Sequence, residues 1–128
     1  MTEVALFSPH QIVCLEHDDH RLYCEVIQVV ESRQRCWVRP LFLAVIAEDR
    51  QVYHRLSMPK ILIDVRSTSD LLYPITLFRV ALDTEVIPLL THLETQISSP
   101  ESLQEAKEKL RQFITQVWQD HPEKFSKL

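Results

Sequence analysis

The chain has 128 residues, of which 45% are hydrophobic, and none of them is glycine. Because glycine lets the backbone approach a phosphate closely and turn at positive φ, its absence excludes the common dinucleotide-binding, phosphate-loop and nucleophile-elbow motifs. The net charge of -4, from 14 basic and 18 acidic residues, excludes a global basic field that would attract nucleic acid or an anionic membrane.

The residues before Ala81 form short apolar segments rich in β-branched and aromatic side chains, which is the pattern of strands. The strands that this pattern predicts cover residues 11–16, 21–30, 35–46, 60–66 and 71–73. The predicted connections are polar turns at residues 17–20, 31–34 and 67–70, a long loop at 47–59 and a helical turn at 74–78. Pro40 lies inside the third strand, and because proline donates no ladder hydrogen bond it implies a sheet edge, a bulge or a break there.

After Ala81 the apolar residues recur at three and four positions, which is the period of a helix. Ser99 and Pro100 mark the start of one helix that ends before Pro122. Its predicted apolar stripe consists of Leu103, Ala106, Leu110, Phe113, Val117 and Trp118. Asp83 is predicted to cap a shorter helix, which contains Pro88 as a source of a kink and has a predicted apolar face made of Val86, Leu90, Leu93 and Ile97.

These elements predict an α+β fold in a single domain over residues 1–128. Short strands with tight connections indicate a small, mainly antiparallel β-barrel over residues 9–80, and an SH3-like barrel is the first choice. The two helices follow as an antiparallel helical hairpin over residues 81–120. Residues 121–128 form a short charged tail in which Phe125 is either disordered or docked as an anchor.

The odd number of cysteines, three, indicates free thiols in a reducing compartment. No apolar run approaches the length needed to span a bilayer, and residues 1–9 lack the pattern of a secretion signal. We therefore expect a cytoplasmic protein with no integral membrane association.

A set of zinc-type ligands, Cys14, His17, His20 and Cys24, lies within eleven residues. If Asp18 and Asp19 turn a hairpin, Cys14 faces Tyr23 and Cys24 faces Val13, so the two cysteines point to opposite sides of the sheet. The sequence therefore predicts no metal site and no cofactor. No local pattern pairs a cysteine with a histidine for nucleophilic catalysis either, and the adjacent carboxylates of Asp18 and Asp19 suit a turn better than an acid–base pair.

Arg33, Arg35 and Arg39 form the densest basic group of the chain, and Trp37 lies among them. Strand alternation predicts that Arg35, Trp37 and Arg39 share one face, with an indole between two guanidinium groups. Such a face can stack on a base and hold phosphate, or grip a protein carboxylate. It can also be a solvated strand face on which the arginine stems cover the indole.

The segments CLEHDDHRLYCEVIQVVESRQRCWVRPLFL and DLLYPITLFRVALDTEVIPLL resemble a family of short cyanobacterial proteins without an assigned activity. The resemblance covers residues 9–90 and assigns no functional residue. It implies a cytoplasmic protein of an oxygenic phototroph acting beside thylakoid or carbon-fixation machinery, where SH3-like domains serve as assembly and docking modules.

The leading functional hypothesis is a non-enzymatic protein–protein interaction module, an assembly or regulatory adaptor whose partner contacts Arg33, Arg35, Trp37 and Arg39. Protein contact ranks above nucleic acid because the chain is acidic and because tryptophan and arginine are enriched at interface hot spots. The first alternative is a single-stranded RNA-binding module that uses the same residues. A metal-dependent or thiol enzyme ranks third.

Overall fold

Six strands and three helices make up the part of the chain that the computed structural model describes, residues 7–46, 61–95 and 100–125. The strands are β1 Ile12–His17, β2 His20–Val30, β3 Arg35–Val45, β4 Ile61–Asp64, β5 Leu71–Pro74 and β6 Phe78–Val80. The helices are α1 Asp83–Glu94, α2 Pro100–Asp120 and α3 Pro122–Phe125, and 3₁₀ turns lie at Glu31–Arg33 and Ile75–Leu77. None of the described helices is both long enough and apolar enough to cross a bilayer.

The α+β class and the antiparallel sheet are confirmed. Each of the five predicted strands lies within two residues of its predicted ends, while the predicted loop at residues 47–59 lies outside the described residues. The prediction missed β6, because a strand of three residues is too short for its alternation to be recognised.

The β1–β2 hairpin has the predicted register. Cys14 lies opposite Tyr23 and Cys24 lies opposite Val13, so the two cysteines point to opposite faces of the sheet. The turn depends on Asp18, whose φ of 54° is left-handed, a conformation that aspartate tolerates better than most residues. The two other described residues with positive φ are His10 at 74° and Gln34 at 55°.

β3 pairs with three other strands, and Pro40 separates the two that share one of its edges. The strand order is β4-β3-β2-β1-β6, with β5 also paired to β3. β5 pairs with residues 35–38 of β3 and β4 pairs with residues 42–45, so neither neighbour pairs with Pro40. On the other edge the register with β2 shifts at the same place, because Tyr23 pairs with Phe42 and Cys24 pairs with Pro40. Of the three alternatives that Pro40 implies, a sheet edge, a bulge or a break, this register shift corresponds to a bulge, and the missing N–H of proline falls where the ladder is interrupted.

The sheet is open rather than closed. Within the described residues, β4 and β6 are the ends of the strand order and no pairing joins them. A closed barrel is therefore not observed, and the SH3-like classification stays a prediction.

The helices α1 and α2 cover opposite faces of the sheet. The core under α2 includes Ala106, Leu110, Phe113 and Val117 from the helix and Val13, Leu15, Leu22, Cys24 and Val38 from the sheet. The core under α1 includes Val86, Leu89 and Leu93 from the helix and Cys14, Tyr23, Phe42, Ala44 and Leu62 from the sheet. The apolar face of each helix therefore packs on the sheet, and the helical hairpin over residues 81–120 stays a prediction.

Two members of the predicted α2 stripe are not core residues. Leu103 is 41% exposed and Trp118 is 50% exposed, so the sheet encloses neither side chain. The Trp118 indole instead stacks on the ring of Phe125, with 4.3 Å between the ring centroids. Phe125 is buried, so the tail docks at this residue.

The apolar face of α1 differs by one position from the predicted one. Val86 and Leu93 are buried as predicted, but Leu89 is buried and Leu90 only half-buried. Ile97 lies outside the described residues. Asp83 was predicted as the cap, but it is the first helical residue, and the cap position belongs to Leu82.

Candidate functional site

The indole of Trp37 lies on the surface of β3. Its strand neighbours Cys36 and Val38 are buried in the core under α2, so alternation directs Trp37 to the opposite side, where it is 39% exposed. The indole Nε1 donates a hydrogen bond of 3.0 Å to Asp70 Oδ2. Arg39 Nε donates to the other oxygen of the same carboxylate over 3.3 Å, so Asp70 ties the two predicted binding residues together.

Leu72 extends this apolar area onto the neighbouring strand. In the β3–β5 register it lies directly opposite Trp37, and it is half exposed. Directly opposite side chains on one sheet face are close neighbours. We refer to Trp37, Arg39, Asp70 and Leu72 as the Trp37 surface.

Arg35 does not belong to this surface, although strand alternation predicts that it should. Its side chain is 7% exposed, and its Nη2 donates a hydrogen bond of 2.9 Å to the backbone carbonyl of Phe125. Carbonyl groups at the end of a helix lack helical partners, and Arg35 supplies one at the end of α3. The prediction of an exposed Arg35 was wrong because the strand pattern gave no information about where the tail docks.

Arg33 is exposed, but it belongs to the 3₁₀ turn before β3 and not to the strand. Of the four predicted binding residues, the structure therefore brings only Trp37 and Arg39 together on an exposed face.

A buried polar cluster that sequence analysis missed connects α1 to the sheet. Glu85 is 2% exposed and accepts hydrogen bonds from Tyr23 Oη at 2.6 Å, from Arg79 Nη1 at 2.8 Å and from the backbone N–H of Leu82 at 2.9 Å. Arg79 also pairs with Glu16 of β1. No sequence signal could have found this cluster, because Tyr23 and Glu85 are separated by 62 positions and only the fold brings them together.

The electrostatics of the buried cluster favour its charged form. Burial by itself would raise the pKa of Glu85, but the hydrogen bonds from Arg79 and Tyr23 outweigh it and lower the pKa to about 2. The pKa of Arg79 is raised, because its bonds to Glu85 and Glu16 outweigh the opposing effect of burial. A carboxylate that stays ionised and has every neighbour paired is suited to holding structure, not to transferring protons.

The cysteines are poor nucleophiles. All three are buried free thiols, and burial raises the pKa of Cys14 to about 12 and that of Cys36 to about 11. The pKa of Cys24 is also raised well above its ordinary value by burial. Since the thiolate is the reactive form, these pKa values weigh against a thiol enzyme.

The edge of β4 faces a groove of about 600 Å³ between the ends of α1 and α2. Three of the charged groups in its wall form ion pairs, since Arg66 bonds Asp64 over 2.8 Å and lies 3.7 Å from Glu94. The hydrogen bond from Arg66 lowers the pKa of Asp64 against the opposing effect of burial.

His17 lies at another corner, where the β1–β2 turn meets the end of α2. Its Nε2 atom is 2.8 Å from Asp120 Oδ2 and 3.6 Å from Asp18 Oδ2. These three side chains are the described group whose donor atoms come close enough together to hold a metal ion. The set is not the predicted Cys14, His17, His20 and Cys24 set, of which only His17 takes part.

Comparisons with protein families, with curated proteins and with solved structures find no match to this chain. Membership of the cyanobacterial family therefore stays a prediction.

Proposed function

We propose that the protein is a non-enzymatic interaction module and that a protein partner binds at the Trp37 surface. The observation that carries this proposal is a half-exposed indole held in place by Asp70 beside an exposed leucine. Interfaces place aromatic and apolar side chains at the centre and polar groups at the rim, and tryptophan and arginine dominate their binding energy. The hydrogen bond to Asp70 also fixes the indole in advance, which lowers the entropy lost on binding.

The surface indicates the chemistry of its partner. Trp37 and Leu72 require an apolar depression or side chain opposite them. Arg39 uses its Nε for Asp70, and its side chain is 51% exposed, so as far as the described residues go its two Nη groups can bind a carboxylate. We therefore infer a protein surface that combines an apolar contact with at least one acidic side chain.

Single-stranded RNA has less support as the ligand. An RNA site needs several cationic groups free to reach phosphates. Arg35 is buried against the carbonyl of Phe125, and the negative charge of Asp70 lies between Trp37 and Arg39. Both contacts reduce the number of cations that this face offers to a phosphate backbone.

The role of an assembly or regulatory adaptor in a cyanobacterium is part of the same proposal, as is the SH3-like character of the sheet. Small bent sheets of that class act as docking modules, and the link to this chain is an analogy of fold.

The test is affinity capture from a lysate of the source organism, with and without nuclease, followed by a binding measurement on the captured protein. Trp37→Ala and Leu72→Ala should each weaken binding by tenfold or more, at about 1.4 kcal/mol for each factor of ten. The matched control is Ile87→Ala, which removes an exposed apolar side chain of α1 and should leave the affinity unchanged. Capture that is lost with nuclease, or equal weakening by all three variants, would refute binding of a protein at this surface.

A further inference from the structure

Three potential metal ligands from two distant parts of the chain meet beside the β1–β2 turn. They are His17 at the end of β1, Asp18 in the turn and Asp120 at the end of α2. One ligand atom from each lies within 4.8 Å of the other two. Asp18 and Asp120 are exposed, whereas the side chain of His17 is only 10% exposed.

The hydrogen-bonding capacity of the buried ring nitrogen of His17 is not satisfied within the described residues. Nε2 is a buried atom without a hydrogen-bond partner in the described part of the chain. Asp120 Oδ2 lies within hydrogen-bond distance at 2.8 Å, so it is the direction of approach, away from the axis of the ring nitrogen, that prevents the bond. The rings of Phe113 and His121 are roughly perpendicular to the same imidazole, with centroids 6.3 and 5.8 Å away.

When two groups bind the same metal ion, each directs its donor atom at the ion and not at the other group. The off-axis position of Asp120 relative to His17 Nε2 is therefore the one expected if both bind a single metal ion. Bonds of about 2.0–2.2 Å from a metal to nitrogen and oxygen place neighbouring ligand atoms roughly 2.9–3.5 Å apart. The metal, and not the second ligand, then lies on the axis of the imidazole nitrogen. The separations of 2.8 and 3.6 Å from His17 Nε2 to the two aspartates lie close to this range.

The end of α2 gives an independent electrostatic reason to expect a cation at this site. Asp120 is the last residue of the helix, and the last turn contains no basic residue. The partial negative charge at a helix C-terminus disfavours a carboxylate. A cation between Asp120 and Asp18 would offset the repulsion that the helix end and the second carboxylate create.

We propose that His17, Asp18 and Asp120 bind one divalent first-row transition metal ion, of which Zn²⁺ and Mn²⁺ fit best. An imidazole with two carboxylates suits these ions, whereas Mg²⁺ prefers an all-oxygen shell. The two exposed aspartates leave coordination positions open to water, and the bound ion would fasten the β1–β2 turn to the end of α2. The site uses no cysteine, so it is distinct from the ligand set that the sequence excluded.

The experiment is isothermal titration calorimetry of the full chain with Zn²⁺, Mn²⁺ and Mg²⁺, together with thermal melts. We expect saturable binding of one Zn²⁺ or Mn²⁺ per chain, a higher Tm with the metal, and much weaker binding of Mg²⁺. Asp120→Asn should weaken binding by about tenfold or more, since even outer-shell changes cost about that much. Asp18→Asn should do the same while keeping the turn, because asparagine tolerates left-handed φ.

The matched control is Asp19→Asn. Asp19 is the neighbouring turn residue and accepts a hydrogen bond from His20 Nδ1 at 2.8 Å, outside the proposed ligand set, so its loss should leave metal affinity unchanged. Substitution with Co²⁺ should give visible absorption without a thiolate charge-transfer band. The proposal is overturned if no ion binds saturably, if Asp120→Asn binds as tightly as the native chain, or if a thiolate band appears.

Discussion

Two carboxylates of this protein make nearly the same contacts in opposite surroundings. Glu85 accepts hydrogen bonds from the hydroxyl of Tyr23 and the guanidinium of Arg79, and Asp70 accepts them from the indole of Trp37 and the guanidinium of Arg39. Glu85 is fully enclosed, whereas the side chain of Asp70 is 30% exposed. Each cluster joins an acid, an aromatic donor and an arginine, so burial is the main variable that differs.

Burial decides what such a cluster can do. Removing the acid from an enclosed cluster leaves a cation and a hydroxyl without partners where water does not replace the carboxylate, which is strongly destabilising. Removing the acid from an exposed cluster lets water take its place, and the change in stability is small. The buried cluster therefore stabilises the fold, while the exposed cluster keeps its groups accessible to a partner.

The largest expected effect is that of Glu85→Ala. The variant should lose about 3–5 kcal/mol of the free energy of unfolding, because Arg79 and Tyr23 would be left without their shared acceptor. Urea denaturation followed by circular dichroism measures this loss.

Asp70→Ala is the matched variant on the exposed cluster and should cost under about 1 kcal/mol by the same measurement. Equal losses for the two variants would remove the distinction between a structural and an accessible cluster.

The next largest effect should come from lowering the pH, which should remove the stability that the buried cluster contributes. The pKa of Glu85 is lowered from 4.5 to about 2, so its stabilising effect is complete above about pH 4.5 and is lost as the pH falls towards 2. The shift corresponds to about 3 kcal/mol of stability. Denaturation curves between pH 5 and 2 should therefore fall more steeply for the native chain than for Glu85→Gln. Parallel curves would mean that Glu85 has an ordinary pKa in the folded protein.

Arg35→Ala should have an intermediate effect. The buried guanidinium donates to the carbonyl of Phe125, and a hydrogen bond from a charged donor contributes about 2 kcal/mol. Because Trp118 stacks on Phe125, release of the tail should also change its fluorescence, which can be read alone in a Trp37→Phe background. If Arg35→Ala keeps the native emission spectrum and the native stability, Arg35 does not hold the tail and its side chain lies at the surface.

Trp37→Ala should have the smallest effect on folding. A side chain that is 39% exposed should cost at most about 1 kcal/mol of stability, whereas an interface centred on it should lose roughly 2 kcal/mol or more of binding energy. Thermal melts and partner binding measured on the same variant give both values. A stability loss of about 3–5 kcal/mol would show that Trp37 is a packing residue and would exclude the Trp37 surface as a binding site.

Local patterns were enough to predict most of the sheet. The Asp18–Asp19 turn determined the β1–β2 register, and Pro40 marked the place where the β3 ladder is interrupted, because both effects depend on residues adjacent in sequence. The faces covered by α1 and α2 could not be predicted in this way. A helix with one apolar stripe packs equally well on another helix or on a sheet, and the choice depends on which sheet face remains uncovered.

The residues of the candidate site could be predicted only in part, because some of its contacts join residues that are far apart in sequence. Alternation along β3 identified Trp37 as an outward-facing residue, but Asp70, which holds it, comes 33 positions later. Arg35 followed the same alternation and yet is covered by the tail. Contacts between residues far apart in sequence carry no periodic signal, so neither Asp70 nor the His17–Asp120 pair could be predicted.

A chain without glycine still needs left-handed backbone, and this requirement leaves room for engineering. Gln34 adopts a φ of 55° between the 3₁₀ turn and β3, and unlike the aspartate of the first hairpin it has no special tolerance for that conformation. Its side-chain amide does donate a hydrogen bond of 3.2 Å to the carbonyl of Glu31, but that bond is exposed and contributes little. Replacement by glycine would relieve about 1 kcal/mol of backbone strain, which makes this turn the natural starting point for a thermostable variant.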